Sequence, residues 1–418
     1  MSPVRRAADE HPPITVRGVE HRAEKDWTRG THRAVDPATT LERIRPHLHL
    51  AGITRVADIT GLDTIGIPVV VAIRPGSRSI AVEAGKGVTV DAAAASACME
   101  AIERFVAEEA DAADEVGSPA RLGDRLATPA GTFPLMRHAT VVESREYAFS
   151  AMTNLVDGTE QLAPEQLVRL APTRSSMVAA PWLTSSNGLA SGNHLPESLC
   201  AGLYEVIERD AVSLWSSAMS RGHAPLRVDL DHAPGEIVGG LVEQIRSSDS
   251  DVTLLWNPTD LGVPTFTAYI WSLNSGIGTY RGYGCHLDPE IAMIRAITEA
   301  AQSRAIFIAA ARDDMLRGAF EILKRADDVG ARSITRRSTL VRLHHIENRA
   351  TPSFHGDVDV LLGDLQRCGF SAVLARELDA TAFEVSVCRV IVPGLETYRF
   401  PWSPTSERAR VFEPTSML

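Results

Sequence analysis

Several familiar signatures are missing from this chain, and each absence removes a class of chemistry. Five cysteines among 418 residues, Cys98, Cys200, Cys285, Cys368 and Cys388, are scattered without a Cys-x-x-Cys pair. That excludes a zinc ribbon and a disulfide framework and suits a reduced, cytoplasmic protein. No apolar run reaches the roughly 18 residues of a spanning helix, so no membrane is expected, and residues 1–33 are polar rather than a signal region. Basic residues are outnumbered, 42 against 53 acidic ones, and the net charge of −11 argues against holding nucleic acid through a general positive field. The common phosphate cradles are missing too. Gly85-Lys86-Gly87 lacks the following Ser or Thr and the upstream spacing of a P-loop. Gly276-Ile277-Gly278 has Arg281 where a third glycine belongs and reads as a hairpin turn. Neither the ordered kinase strings nor His-Glu-x-x-His occurs.

What is present is an ordinary globular composition, 44% hydrophobic and 23% charged, long enough for roughly two to three domains or one two-lobed unit. Residues 1–37 read as a loose, charged leader. An amphipathic helix is expected over 37–50, strands over 53–56 and 67–73, and an alanine-rich helix over 89–107. The mixed stretch 111–181 reads as an insertion or smaller lobe. Order returns with a glycine-containing turn at 187–193, a long helix over 195–217, strands over 252–256 and 265–271, a helix over 289–311 and a strand over 382–392, with a tail from 396 to 418. The result is an α+β chain.

Three of these helices carry polar residues on one face of an otherwise apolar or small-residue segment. The strings are Ser96-x-x-x-Glu100-x-x-Glu103-Arg104, Glu205-x-x-Glu208-Arg209 and Arg295-x-x-x-Glu299-x-x-Gln302. Spacings of three, four and seven put each set on a single side of its helix. The first two share Glu-x-Ile-Glu-Arg, far too widely separated for a solenoid repeat and consistent with an old duplication whose copies meet at one site. Glu100, Glu103, Glu205 and Glu208 are better satisfied by a divalent cation than by each other. Mg2+ takes oxygen ligands and bridges carboxylates to phosphates, which Arg104, Arg209 and Arg295 would neutralise. The plainer alternative is internal Glu–Arg pairing. Asn193 is either a helix cap or a ligand contact. His194 and His286 are given no role, and Arg312-Asp313-Asp314 is either a polar helix end or functional.

Taken in order, these strings resemble the YcaO family over roughly residues 30–395. They are Gly85-Lys86-Gly87 with the Ser96 motif, Asn187-Gly188-Leu189-Ala190-Ser191-Gly192-Asn193 leading into Glu205-x-x-Glu208-Arg209-Asp210, and Arg295-Ala-x-x-Glu299-Ala-Ala-Gln302-Ser-Arg304. Gly30-Thr31-His32-Arg33 with Thr40, and 52–63, resemble the branch that works beside a TfuA-like partner. The resemblance implies a YcaO fold of helices on mixed and antiparallel sheets, pseudo-duplicated around one ATP site. It implies ATP- and Mg2+-dependent phosphorylation of a peptide backbone amide oxygen. It assigns Mg2+ to Glu100, Glu103, Glu205 and Glu208, and nucleotide contacts to Ser96, Asn193, Glu197, Arg209, Gln302, Arg33 and Thr40. Two positions depart from the family pattern. Ala190 stands at an expected serine, with Ser191 next to it. The expected Gln-x-x-x-Arg is replaced by Gln302-x-Arg304, which points Arg304 nearly opposite to Gln302; Arg295, on Gln302's own face, is the alternative.

Azoline-forming members commonly end in a Pro-x-Pro-x-Pro tail, whereas this chain ends Phe412-Glu413-Pro414-Thr415-Ser416-Met417-Leu418. The expectation is therefore a thioamide made with an external sulfur donor. The rivals are an azoline-forming cyclodehydratase and a noncatalytic nucleotide-binding scaffold. Residues 1–37 are too short to be a leader-capture domain. A TfuA-like partner would present the peptide or protein substrate or deliver sulfur, and a homodimer is left open.

Overall fold

A computed structural model describes residues 11–110, 113–170, 180–232, 235–273, 278–310, 334–343, 346–397 and 406–414. Its main helices are α1 (Pro37–Ile44), α2 (Val90–Glu109), α3 (Leu195–Ser220), α4 (Glu236–Ser247), α5 (Pro289–Ala309) and α6 (Phe354–Arg367). The three that carry the polar strings, α2, α3 and α5, each follow directly on a strand: Val82–Lys86, Leu189–Gly192 and Thr279–Cys285. Each starts at a side-chain cap that accepts from a free N–H of the first turn. Thr89 accepts from Ala92 N at 3.2 Å, His194 from Glu197 N at 3.2 Å, and Asp288 from Glu290 N at 2.8 Å. Asn193, the residue sequence reasoning offered as a cap, instead precedes the cap.

Each strand–helix pair lies on its own sheet. α2 packs on the three-stranded antiparallel sheet Arg55–Asp58, Val69–Ile73 and Val82–Lys86. α5 packs on the five-stranded sheet in which Thr279–Cys285, Thr265–Ser272, Ser250–Trp256 and Leu226–Val228 are antiparallel and Thr339–Val341 joins parallel. α3 packs on the six-stranded sheet ordered Glu115–Gly117, Tyr147–Asn154, Leu374–Leu378, Ser386–Ile391, Leu189–Gly192, with Glu160–Pro164 paired to Tyr147–Asn154. The seating is close because glycines face the helices. A Cβ on Gly85 would stand 2.1 Å from Ala93 O and Ala97 N, and one on Gly284 2.0 Å from Ala292 O. No side chain fits between backbone and backbone there, so the helices with their glutamates are held at a fixed height above the sheets. The resulting architecture is α+β.

Three sequence expectations differ from this arrangement. The stretch 111–181 is not a separate lobe in its described part. Its strands Glu115–Gly117, Tyr147–Asn154 and Glu160–Pro164 complete the six-stranded sheet, and Phe149, Met152, Leu162 and Trp182 join the same core as Ala97, Ala101 and Ile102 of α2. The N-terminal segment is not loose from residue 11 onward, since the hairpin Ile14–Val16/Val19–His21 buries Ile14 and Val16 and Lys25 is buried as well. Helix 37–50 ends at Ile44 and continues as a 3-10 turn, Arg45–Ala51, where Pro46 removes a donor. The antiparallel register of Thr265–Ser272 with Thr279–Cys285 agrees with the expected hairpin. Arg312-Asp313-Asp314 lies outside the described residues, as does most of the Gly276 turn.

Candidate active site

Where α2, α3 and α5 converge they enclose a cavity of about 470 Å³. From α2 come Ser96, Glu100, Glu103 and Arg104; from α3 Glu197, Glu205, Glu208 and Arg209; from α5 Arg295, Glu299 and Gln302. Asn193 enters from the turn before α3, Thr40 from α1, and Arg33 from the N-terminal segment. One expected residue is absent from the lining. Arg304 turns to the far side of α5, where it pairs with Asp63 at 2.9 Å and donates to Ser272 Oγ at 2.7 Å, with only 2% of its side chain exposed. Two residues along a helix is a rotation of about 200°, so Gln302 and Arg304 do not share the cavity, whereas Arg295, on one face with Gln302, lines it.

The carboxylates are crowded. Burial pushes the Glu103 carboxyl well above its ordinary range, with Glu100 and Glu205 adding to the effect against Arg104 and a hydrogen bond from Ser191. Burial likewise lifts Glu205 from 4.5 to about 7, reinforced by Glu208 and Glu100 and opposed by Arg209 and Arg389. Glu208 is raised by burial and then by Glu299. Glu299 behaves oppositely: burial pushes it up, but Lys86, Arg209 and Arg295 together outweigh that and hold it low. Its partners are the Lys86 ammonium at 2.5 Å and Tyr283 N–H at 3.3 Å.

The arginines are only loosely engaged by the glutamates of their own helices. Arg104 lies 3.8 Å from Glu100 and Arg209 3.8 Å from Glu205, while Arg104 also reaches Glu83 at 3.0 Å. Glu208 Oε2, Arg295 Nε and Gln302 Oε1 are buried and have no hydrogen-bond partner among the described residues. A buried carboxylate oxygen without a donor is costly. A set of oxygen donors with raised proton affinity, an unpaired carboxylate oxygen and nearby guanidinium groups fits a hard divalent cation carrying a phosphate chain. Internal Glu–Arg pairing alone leaves these atoms unsatisfied.

The nucleotide-contact candidates form a connected group at the other edge. Glu197 Oε2 accepts from Asn193 N and Nδ2, both at 2.9 Å, and Glu197 Oε1 lies 3.6 Å from Arg33. Asn193 Oδ1 in turn accepts from Thr40 Oγ1 at 3.0 Å and from Arg43. Ala190 and Ser191 both line the cavity, and the Ser191 hydroxyl donates to Glu103 Oε2 at 3.0 Å. The hydroxyl missing at 190 is thus present one residue later, on a glutamate.

Sequence reasoning missed Lys86 and Arg389. Lys86 stands in Gly85-Lys86-Gly87, which is rejected as a P-loop and counts toward the resemblance, but it is given no role there; it ends the strand that leads into α2. Arg389, fully buried beneath Glu205 and Glu103, donates to Asn187 O at 2.9 Å and to Val168 O. Its signal was a lone arginine in the apolar run Ser386–Ile391.

With this geometry in view, the comparisons with known proteins are consistent. A family model described as YcaO cyclodehydratase, ATP- and Mg2+-binding, matches residues 84–396. A protein of Rhizobium leguminosarum bv. trifolii, named for its place in the tfuA 3' region, is 33% identical over 386 residues, covering 87% of this chain and 88% of the relative. The structure of YcaO from Methanopyrus kandleri bound with AMPPCP and Mg2+ superposes with a TM-score of 0.68 at 23% identity, covering 92% of this chain and all of that one. A heterocyclase in complex with substrate and cofactor gives a TM-score of 0.76 at 22% identity; it covers 92% of this chain, which spans 54% of the heterocyclase. At these identities the two structures speak to the fold. Three polar helix faces around one cavity, the strand–helix architecture and the family match lead to one conclusion: the chain belongs to the YcaO family of ATP- and Mg2+-dependent peptide-modifying enzymes.

Proposed function

We propose that this chain uses ATP and Mg2+ to activate a backbone amide oxygen of a peptide or protein, and that an external sulfur donor then converts the amide to a thioamide. The observation that carries the first half is the cavity itself, where carboxylates from two helices meet guanidinium groups and Glu208 Oε2 has no donor among the described residues. Glu100 and Glu103 of α2 and Glu205 and Glu208 of α3 would hold Mg2+. Arg104, Arg209 and Arg295 would face phosphate oxygens, and Ser96, Asn193, Glu197, Gln302, Arg33 and Thr40 would orient the nucleotide. Bound ATP–Mg2+ supplies the phosphoryl group and neutralises charge on it. The chain's own part is positioning and electrostatic: fixed guanidinium groups oppose growing negative charge, and the enclosing walls keep water from competing for the phosphoryl group. In the overall exchange the amide C=O becomes C=S, the oxygen leaves on phosphate, and ATP becomes ADP.

The choice of sulfur is supported by the relative from the tfuA 3' region. A TfuA-like partner delivering sulfur or presenting the substrate, and action in the cytoplasm, belong to the same reading. A second reading, cyclodehydration of Cys, Ser or Thr to an azoline, is favoured by the description of the family as cyclodehydratases.

Mass spectrometry separates them when the chain, a TfuA-like partner, sulfide, ATP and Mg2+ are incubated with a substrate peptide. A thioamide gains about 16 Da and an azoline loses about 18 Da. A peptide of unchanged mass, with nucleotide bound but not hydrolysed, would contradict both and leave a scaffold. If the peptide carries heavy oxygen in its backbone carbonyls, activation at the amide predicts labelled inorganic phosphate.

A further inference from the structure

Arg33 and Trp27 reach the cavity on a loop rather than on one of the glutamate helices. Their backbones form an antiparallel bridge, Trp27 N donating to Arg33 O at 3.0 Å and Arg33 N to Trp27 O at 2.9 Å, so both side chains leave the loop on one face. At Gly30, φ is +72° and a Cβ would strike Val88 Cγ2 at 2.8 Å, which places the loop directly on the lead-in to α2.

The fastening lies behind this loop. Lys25 is buried, and its ammonium donates to Asp357 Oδ2 at 2.6 Å and Thr351 O at 2.9 Å; the two charged side chains are 2% and 0% exposed. Asp357, in the first turn of α6, also accepts from Tyr204 Oη at 2.8 Å, Thr351 N at 2.7 Å and Thr351 Oγ1 at 3.0 Å. His32, between the cavity residues Thr31 and Arg33, packs edge-on to His286 at 4.9 Å, and His286 stacks on Tyr204 at 4.5 Å. Tyr204 sits on α3 beside Glu205. One buried cluster therefore joins the loop, α3 and α6.

His32, His286 and Asp357 each bring a ligand atom within 4.8 Å of the others, a spacing that suits a metal ion. The cluster already has its cation, however. The Lys25 ammonium sits on Asp357, both oxygens of that carboxylate have donors, and His286 Nδ1 accepts from Asp288 N at 2.9 Å. Burial holds His32 down to about 3, with Lys25 and Arg33 contributing, so its ring is neutral at physiological pH. A dication added beside a buried ammonium would be repelled.

We propose that Lys25 and Asp357 are positioning residues for nucleotide binding: their ion pair holds the 27–33 loop on the cavity so that Arg33, 3.6 Å from Glu197, is presented to the nucleotide. The proposal rests on the reading of Arg33 and the cavity as the ATP site. Neither residue lines the cavity, so the effect passes through the loop.

The test is a double-mutant cycle read by calorimetric titration of Mg2+–AMPPCP into the full chain and its Lys25→Met, Arg33→Ala and double variants. Positioning predicts that Lys25→Met and Arg33→Ala each weaken binding by about tenfold or more, and that the double variant binds no more weakly than Arg33→Ala alone. A Lys25→Met protein with unchanged affinity, or losses that multiply in the double variant, would overturn it, because a general weakening of the fold acts in either background. If Lys25→Met does not fold, Asp357→Asn removes the ion pair while the Lys25 ammonium keeps Thr351 O as an acceptor; it should weaken binding by a few-fold, and unchanged affinity overturns the proposal. Zinc that binds the wild type and not a His286→Ala variant would overturn it by making the cluster a metal centre. A wild type that binds no Mg2+–AMPPCP would instead defeat the ATP reading of the cavity, and this inference with it.

Discussion

Among single residues, Glu208 and Glu205 carry the sharpest expectations. Glu208→Gln keeps shape and volume but removes the charge at an oxygen that has no donor among the described residues. Titration should show Mg2+–nucleotide affinity falling by about 100-fold or more, while the melting temperature is unchanged or higher because a costly buried charge is gone. Glu205 gives a pH signature. Its carboxyl is raised to about 7, so between about 4.5 and 7 the folded ligand-free protein binds more protons than the unfolded chain. Stability of the ligand-free protein should therefore fall as pH rises through that window. Mg2+ needs the ionised form, so metal binding should release more protons at pH 6 than at pH 8. Calorimetry in two buffers of different ionisation enthalpy measures this, and equal proton release at both pH values would count against the assignment. Arg304 is the opposite case. Arg304→Met should cost about 3–5 kcal/mol of stability by stranding Asp63, with nucleotide affinity unchanged in the folded fraction. Helical periodicity alone separated Arg304 from Gln302; what it could not provide was Asp63, a partner 241 positions away.

At the scale of elements, the helices were legible in the sequence because their information is local. Apolar spacing, an alanine run and the start signals near Thr89 and Asp288 lie within a few residues of the structure they set. Sheet membership was not legible, because pairing partners are distant. Tyr147–Asn154 takes its place only when Leu374–Leu378 arrives, which is why 111–181 read as an insertion. The N-terminal segment read as loose for the same reason: Lys25 looks like a surface charge until Asp357 is beside it. The glycine seats give a further test. Gly85→Ala must push Val82–Lys86 away from α2, since its Cβ would lie 2.1 Å from two backbone atoms. Overpacking of this kind costs about 1–3 kcal/mol. Thermal or denaturant unfolding should show that loss together with weaker nucleotide binding, because the strand carries Lys86 and the helix carries Glu100 and Glu103. Full stability in Gly85→Ala would show that the two elements are not seated as described.

For the whole molecule, the central claim is that α2, α3 and α5, each from a different strand–helix unit, build one site. The four glutamates and Gln302 were legible from spacing and resemblance, and all of them line the same cavity. The hidden part was the supporting layer, Arg389 beneath the glutamates and the Lys25 cluster behind the loop, because those residues act through distant contacts. The most direct test is calorimetric titration of Mg2+–AMPPCP against the wild type and three single variants, Glu103→Gln, Glu208→Gln and Gln302→Ala, one on each helix. A shared site predicts one nucleotide per chain in the wild type and severely weakened binding in every variant. Wild-type affinity in any one of them, with its fold intact, would contradict the claim that the three helices serve one nucleotide.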